Sequence, residues 1–329
     1  MWDFSFGKSF GMVLRTLPFL LLRIAVYMGI AIIYIFAAGI GAAFGFALGH
    51  MGADADSPVS GAFIGGAIGF GLTALMLYFL RQYLLYLVKA AHIAVLVEIL
   101  DGRSVPAGQG QIAYGTQFVK NHFAEASVLF GVDQVVKAIL RALFRIINLF
   151  TMFLPIPVFG SLIRIAEGIV RNSLTYVDEV ILAYLIRTRT TNPWETAKDG
   201  VILYAQNYRV MLKNAVWLSL FMWGTTLAIF IVLLTPAAGL VMMMPGTNAA
   251  GIWAFMFAVI VAVALKKALL EPLAIASLMQ VYFKVIEGQT PDPEWSARLD
   301  GASRRFRELG QKASDWVPRP SMPEPGAKA

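Results

Sequence analysis

Between Arg23 and Asp54 the chain carries no Asp, Glu, Lys or Arg, and that one run constrains the fold more than any other feature. Crossing the hydrocarbon of a bilayer takes roughly 20 apolar residues, so Ile24 to Leu48 reads as a first transmembrane helix. A second charge-free run extends from Gly61 to Leu80 and closes at Arg81. A third runs from Asn214 to Thr235, where Pro236 is expected to stop it, and a fourth from Ala249 to Leu265, ended by Lys266 and Lys267. Composition agrees: 58% of the 329 residues are hydrophobic and 14% charged, against roughly 45–50% and about 25% in soluble domains. So much apolar surface cannot be hidden in one aqueous core, and no polar segment is long enough to fold by itself in water.

Basic residues flank the outer ends of these runs: Lys8, Arg15, Arg23, Arg81, Lys89, Arg209, Lys213, Lys266 and Lys267. The two hairpin tips carry none, so the positive-inside rule places both tips outside and both termini in the cytoplasm. The expected location is a plasma membrane of the bacterial inner-membrane type. The same rule accounts for the net charge of +7, and no nucleic-acid partner is expected. The absence of cysteine excludes disulfides and thiolate chemistry. The histidines His50, His92 and His122 are widely spaced and form no metal motif. No cofactor is expected, and with Met1-Trp2-Asp3-Phe4 followed by no short apolar run and small-residue cleavage site, no removed signal peptide is expected.

The expected fold is all-α and polytopic: four transmembrane helices in two hairpins, plus a central amphipathic helical hairpin that lies along the inner leaflet or re-enters it. The segments are an amphipathic entry (1–23), a first hairpin (24–80), an exit helix (81–104), central amphipathic helices (105–213), a second hairpin (214–265), a second exit helix (266–288) and a polar tail (289–329). Laying Arg81 on Lys267 also lays Leu84 on Leu270, Val95 on Val281, Asp101-Gly102 on Glu287-Gly288 and Ser104 on Thr290. This suggests an internal duplication, with Gly102 and Gly288 as glycines ending each exit helix.

Gly41, Gly45 and Gly49 recur at every fourth position of the first span, and Gly61, Gly65 and Gly69 do so on the second. Such spacing keeps the residues on one helix face and lets two helix backbones approach closely. The same small residues can instead leave room for a ligand groove. In the central region Asp133, Lys137, Arg141 and Arg145 follow one another at four-residue spacing. The basic members, Lys137, Arg141 and Arg145, form a cationic stripe on a broadly apolar helix, a pattern of helices lying in the membrane interface and equally of helices packed on the exit helices. The chain then turns at Leu154-Pro155-Ile156-Pro157 and returns through Arg164, Glu167, Arg171 and Asp178 on one face. Asn192-Pro193-Trp194-Glu195 is an N-cap sequence for a helix expected to run through Tyr204 and Arg209 into the third span.

No phosphate loop, paired-histidine motif or nucleophile triad stands out, and no enzyme activity is expected. Ionisable residues near the membrane are the remaining pointer. Glu271, with Lys267 and Arg81, is the candidate solute or ion-pair site. Glu271 sits among apolar neighbours, and Pro272 beside it removes a backbone donor. The pair can serve as a hinge or cation site, or Glu271 can simply pair with Arg or Lys from the middle hairpin. Trp217, Trp223, Trp253, Phe255 and Phe257 can form a cation cage or an interfacial belt.

Asn207-Tyr208-Arg209 and Lys213-Asn214-Ala215 lead into a span, followed by a short outer turn, a last span and an exit helix ending at Glu287-Gly288. In these features Thr175 to Gly288 resembles the C-terminal half of the choline-transporter-like proteins. The chain departs from that family in having four evident spans, where the family has about ten, and no large cysteine-bearing outer loop. The resemblance implies a protein that binds or moves a small amphiphilic or cationic solute. Membrane lipid is an expected partner, with a homo-oligomer or a partner membrane protein completing the assembly. The other reading is a non-transporting scaffold or accessory subunit that binds a protein or the inner leaflet.

Overall fold

The computed structural model describes residues 2–51, 57–106, 109–122, 128, 130–140, 176–189, 191–242 and 250–317. Side chains at 79–82, 121–122, 237–238, 240–242, 250 and 253 stand outside that description. The expected turn of the middle hairpin, the tip of the second hairpin at 243–249 and the end of the tail therefore lie outside the described residues.

Every regular element among the described residues is helical. In chain order they are α1 (Phe6–Arg15), α2 (Leu17–Gly49), α3 (Ser57–Leu100), α4 (Gln111–His122), a helical stretch at 130–140, α5 (Val177–Thr188), α6 (Pro193–Gln206), α7 (Tyr208–Met242) and α8 (Ala250–Leu265). A π-helical turn, Lys266–Leu270, joins α8 to α9 (Glu271–Val285), and α10 (Pro293–Ala302) and α11 (Arg304–Ser314) follow. Among the described residues, four segments are long and apolar enough to cross a membrane: Leu17–Gly49, Ser57–Tyr78, Tyr83–Leu100 and Tyr208–Pro236. The protein is thus an all-α membrane protein.

Tyr83–Leu100 was expected as an exit helix, and it is the second half of the unbroken 44-residue α3. Its most apolar window is 56% buried inside the protein, against 6% for Ser57–Tyr78. The same helix therefore faces protein in one half and is bare in the other. The expected fourth span has 16 residues in α8 and continues helically through the π turn.

Two expectations about breaks are corrected. Pro236 does not end α7, which runs on to Met242. One proline forfeits one backbone donor, and its fixed φ suits a helix. Conversely, α6 and α7 are separate helices. Asn207 interrupts them at φ −106° and ψ 16°, and its side chain donates to the Leu203 carbonyl at 2.9 Å and to Gln289 Oε1 at 2.8 Å. An asparagine side chain that competes for backbone acceptors favours such a break.

The chain forms two compact units. One comprises residues 20–85 and 221–271 and holds the glycine-rich hairpin and the π turn. Tyr27, Ala31, Ala264 and Ala268 are its buried centre, with Ile24, Met28, Leu85, Ile260 and Leu269 packed around them.

The other unit comprises residues 1–19, 86–220 and 272–329. Its interior includes Phe19, Ile93, Leu96, Ile139, Ile181, Leu185, Tyr204, Tyr282 and Phe306. Helices α5, α10 and α11 all pack on α6. The last two fall in the segment read as a polar tail. Each starts at a side-chain cap: Asp292 accepts from the Glu294 N–H and Ser303 from the Phe306 N–H. Phe306 and Leu309, one turn apart on α11, are buried, which anchors an otherwise strongly charged helix.

Candidate functional site

Pro272 shapes the first site before any side chain is considered. It has no N–H to give a preceding carbonyl, and the backbone just before it adopts a π turn in which the Glu271 N–H reaches the Lys266 carbonyl. In that wider register the Pro272 nitrogen would face the Lys267 carbonyl, and it has no hydrogen to offer. The Arg23 guanidinium takes its place, Nη2 donating to the Lys267 carbonyl at 2.8 Å. The same Nη2 lies 2.5 Å from Glu271 Oε2. Tyr27, one turn along α2, donates its hydroxyl to that carboxylate oxygen at 3.5 Å, and the Arg23 guanidinium carbon lies 5.7 Å from the Tyr27 ring centre. Arg23 is 1% exposed and Glu271 3%, and among the described residues the Arg23 Nε–H meets no acceptor.

Of the three residues expected at this site, Glu271 is at its centre and Lys267 contributes its backbone carbonyl, while its side chain is exposed. The Arg81 side chain lies outside the described residues. Among the described residues Glu271 pairs with Arg23; most of the middle hairpin, expected to supply a cation to it, lies outside the described residues. Arg23 carried a sequence signal only as one more flanking cation. Beside the site, the Lys266 ammonium stands 5.3 Å from the Trp223 ring centre. Trp253 lies outside the described side chains, and Phe255 and Phe257 are exposed.

The glycine rows meet in the same unit. A Cβ built on Gly45 would overlap the Gly61 carbonyl and come within 3.1 Å of the Gly65 Cα. One built on Gly41 would overlap the Gly65 carbonyl, with the Gly69 Cα at 3.2 Å. Gly49 faces Ser57 and Pro58 in the same way. Backbone lies against backbone along this seam, which leaves no space for a ligand groove there.

A second concentration of charge lies inside the other unit. Lys137 pairs with Asp133 at 2.6 Å and with Asp178 at 3.1 Å, and Lys89 pairs with Glu179 at 2.8 Å. The Tyr86 ring meets the Phe130 ring edge-on at 5.5 Å. Burial pushes the Asp133 and Asp178 carboxyls above the ordinary carboxylate range. Burial alone would lower Lys137, but the carboxylates around it prevail and hold it above its usual value. Lys137 was expected in a cationic stripe, lying in the membrane interface or packed on the exit helices, and it is half-buried and pairs with the buried Asp133 and Asp178; Arg141 and Arg145 lie outside the described residues.

Elsewhere in that unit, Glu98 at the end of α3 pairs with Arg103 and Arg189, and Asp101 pairs with Arg103 and Arg187. His92 stacks on Phe19 at 4.9 Å and shares a 2.8 Å hydrogen bond with the Thr16 hydroxyl, which makes it a structural histidine. A shallow surface groove on α4 is lined by Gly110, Ile112, Ala113, Thr116, Gln117 and Lys120. Comparison with known protein families, with curated proteins and with solved structures finds no match.

Proposed function

We propose that this membrane protein binds or moves a small cationic or amphiphilic solute, with Glu271 as the anionic contact and Arg23 as the resident cation that the solute replaces. The observation that carries this reading is the buried Arg23–Glu271 pair beside a π turn and a proline. Buried charge in a membrane segment is costly and is usually kept for function, and π turns recur at functional sites. Arg23 has a second acceptor in the Lys267 carbonyl, so it can release Glu271 without losing every partner. The resemblance of residues 175–288 to choline-transporter-like proteins points to a quaternary ammonium as the first probe. On this reading both termini are cytoplasmic, the membrane is an inner membrane, and assembly into an oligomer encloses the path.

The test is thermal unfolding of the purified protein in nanodiscs with rising choline. Stabilisation of the wild type that disappears in Glu271→Gln is the expected result. No choline-dependent shift in the wild type, or an equal shift in the variant, would overturn it.

A second reading, a membrane scaffold, draws on Ser57–Tyr78, whose apolar window is only 6% buried. A helix so bare can serve as a surface for another membrane protein. Co-purification of a stoichiometric partner that releases on Ile68→Arg, with no choline response, would favour the scaffold.

A further inference from the structure

The carboxylates at the end of α3 carry more arginine than their charge requires. Arg103 Nε donates to Glu98 Oε2, and its Nη2 donates to Asp101 Oδ2 at 3.0 Å. Arg187 grips the same Asp101 with both prongs, Nη2 to Oδ1 at 2.8 Å and Nε to Oδ2 at 3.2 Å. Arg189 adds Nη2 to Glu98 Oε1 at 2.8 Å. Arg103 and Arg187 suffice to neutralise both acids, so Arg189 brings a positive charge in excess.

The five side chains divide by depth. Those of Arg103, Arg187 and Arg189 are 46%, 41% and 47% exposed, against 4% for Glu98 and 10% for Asp101. The acids form a floor from which the guanidiniums are presented to the surface. Among the described residues, the Nη1 group of each arginine meets no acceptor. Buried rings steady two of the three from another side. The guanidinium carbon of Arg187 lies 4.4 Å from the Phe283 ring centre, and that of Arg189 lies 5.6 Å from Phe118. An arginine held by both a carboxylate and a ring loses little further freedom when a ligand arrives.

The backbone at Arg189 is a separate sign. Arg189 ends α5 at φ 49° and ψ 42°, the one non-glycine residue of positive φ among the described residues. Glycine or asparagine is usual at such a left-handed helix end, because a Cβ disfavours it. Strain of this kind clusters at ligand clamps. Here it aims a surplus cation at Glu98 and Phe118.

Arg103 and Arg187 meet across the Asp101 carboxylate, and Arg103 and Arg189 across that of Glu98. The gap between neighbouring guanidiniums is thus one that the oxygens of a single phosphate also span. A phosphomonoester has three terminal oxygens and roughly two negative charges, which suits three outward forks with charge to spare. Asp101 directly follows Tyr83–Leu100, a segment apolar enough to cross a membrane. A lipid headgroup is therefore one source of such a phosphate, and a soluble phosphate is the other.

We propose that Arg103, Arg187 and Arg189 form a binding site for a phosphomonoester. The site does not depend on the solute reading at Glu271.

The test is thermal unfolding of the full-length protein in nanodiscs. One arm titrates inorganic phosphate into phosphatidylcholine discs, against potassium chloride of equal ionic strength. The other replaces part of the phosphatidylcholine with phosphatidic acid. The wild type should be stabilised in at least one arm, and the arm that responds identifies the source. Arg189→Gln leaves Glu98 paired with Arg103 and should weaken the apparent affinity about tenfold. Arg187→Lys keeps the charge but loses the fork, so it should weaken binding too. Arg298→Gln removes an exposed arginine that pairs with Glu294 outside the cluster and should leave the response unchanged. No stabilisation of the wild type in either arm would overturn the proposal. So would a response that persists in Arg189→Gln, or one that Arg298→Gln weakens equally. If Arg189→Gln does not fold, Arg187→Lys set against Arg298→Gln still decides the matter.

Discussion

The guanidinium of Arg23 donates a 2.8 Å hydrogen bond to the carbonyl of Lys267, the acceptor that Pro272 has no N–H to satisfy in the π register. One side chain from the start of α2 thus compensates a backbone defect far away in sequence and neutralises Glu271 with the same nitrogen. Arg23→Met should therefore destabilise the protein strongly, by about 3–5 kcal/mol, since it leaves a buried carboxylate without its guanidinium. Adding Pro272→Ala restores a backbone donor and should recover roughly 1 kcal/mol. Equilibrium unfolding in mixed micelles would measure both. A double variant no more stable than Arg23→Met would mean that Arg23 does not stand in for the missing donor.

The glycine seam predicts a sharp contrast within one helix. Gly45→Ala puts a methyl group into the Gly61 carbonyl, and Gly65→Ala does the same to Gly41. Both must push α2 and α3 apart, at a cost of about 1–3 kcal/mol or more. Gly39 and Gly71 have open space where a Cβ would go, so alanine there should be neutral or stabilise by up to about 1 kcal/mol. Melting temperatures of the four variants in one detergent would test this. Equal effects at seam and off-seam positions would remove the argument for close packing.

The seam was legible in sequence because a four-residue repeat of glycine is a one-dimensional signal that puts the glycines on one helix face; that this face packs closely and does not line a groove came from the backbone contacts at Gly41, Gly45 and Gly49. The i,i+4 relation of Asp133 and Lys137 was legible for the same reason. That Arg23 meets Glu271 was not, because nothing local distinguishes Arg23 from the other cations flanking the spans. Pro272 announced a perturbed helix, but a π turn and a kink have the same sequence signature. The pairing of Lys137 with Asp178 was equally hidden. A stripe of charge on an apolar helix looks alike whether lipid headgroups or Asp178 complete it. The helices α10 and α11 were missed although Asp292-Pro293 and Ser303 are good caps, because their polar composition resembles that of a tail.

The raised Asp178 carboxyl gives a stability prediction with a definite sign. Burial raises it above the unfolded-state value, so the folded protein holds a proton that the unfolded chain releases more readily. Its contribution is fully present below the unfolded value of 3.8 and is lost as pH rises through the folded one. Asp178→Asn cannot ionise. Its stability relative to the wild type should therefore be lowest in acid and should improve as pH increases. Parallel melting curves from acid to neutral pH would show a difference that changes in that direction. A difference independent of pH, or one that moves the other way, would mean Asp178 is held as an ordinary carboxylate.

The last prediction concerns Gly102, where α3 ends. Its φ is +76°, a left-handed conformation that costs other L-residues roughly 1–2 kcal/mol. The turn is closed by the Arg103 N–H to the Glu98 carbonyl at 2.8 Å and the Gly102 N–H to the Ile99 carbonyl at 3.1 Å, the bonding of a glycine-terminated helix end. That turn also positions Glu98 and Asp101 for Arg103, Arg187 and Arg189, so strain there is shared by the whole ion-pair cluster. A Cβ at Gly102 would meet nothing within 4 Å, so the penalty of a substitution is conformational and not steric. Gly102→Ala should cost about 1–2 kcal/mol. Gly102→Asn should cost less, because asparagine enters the left-handed region more readily, although it is the larger side chain. An unfolding series in which asparagine is as damaging as alanine, or worse, would show that space and not backbone conformation limits this position.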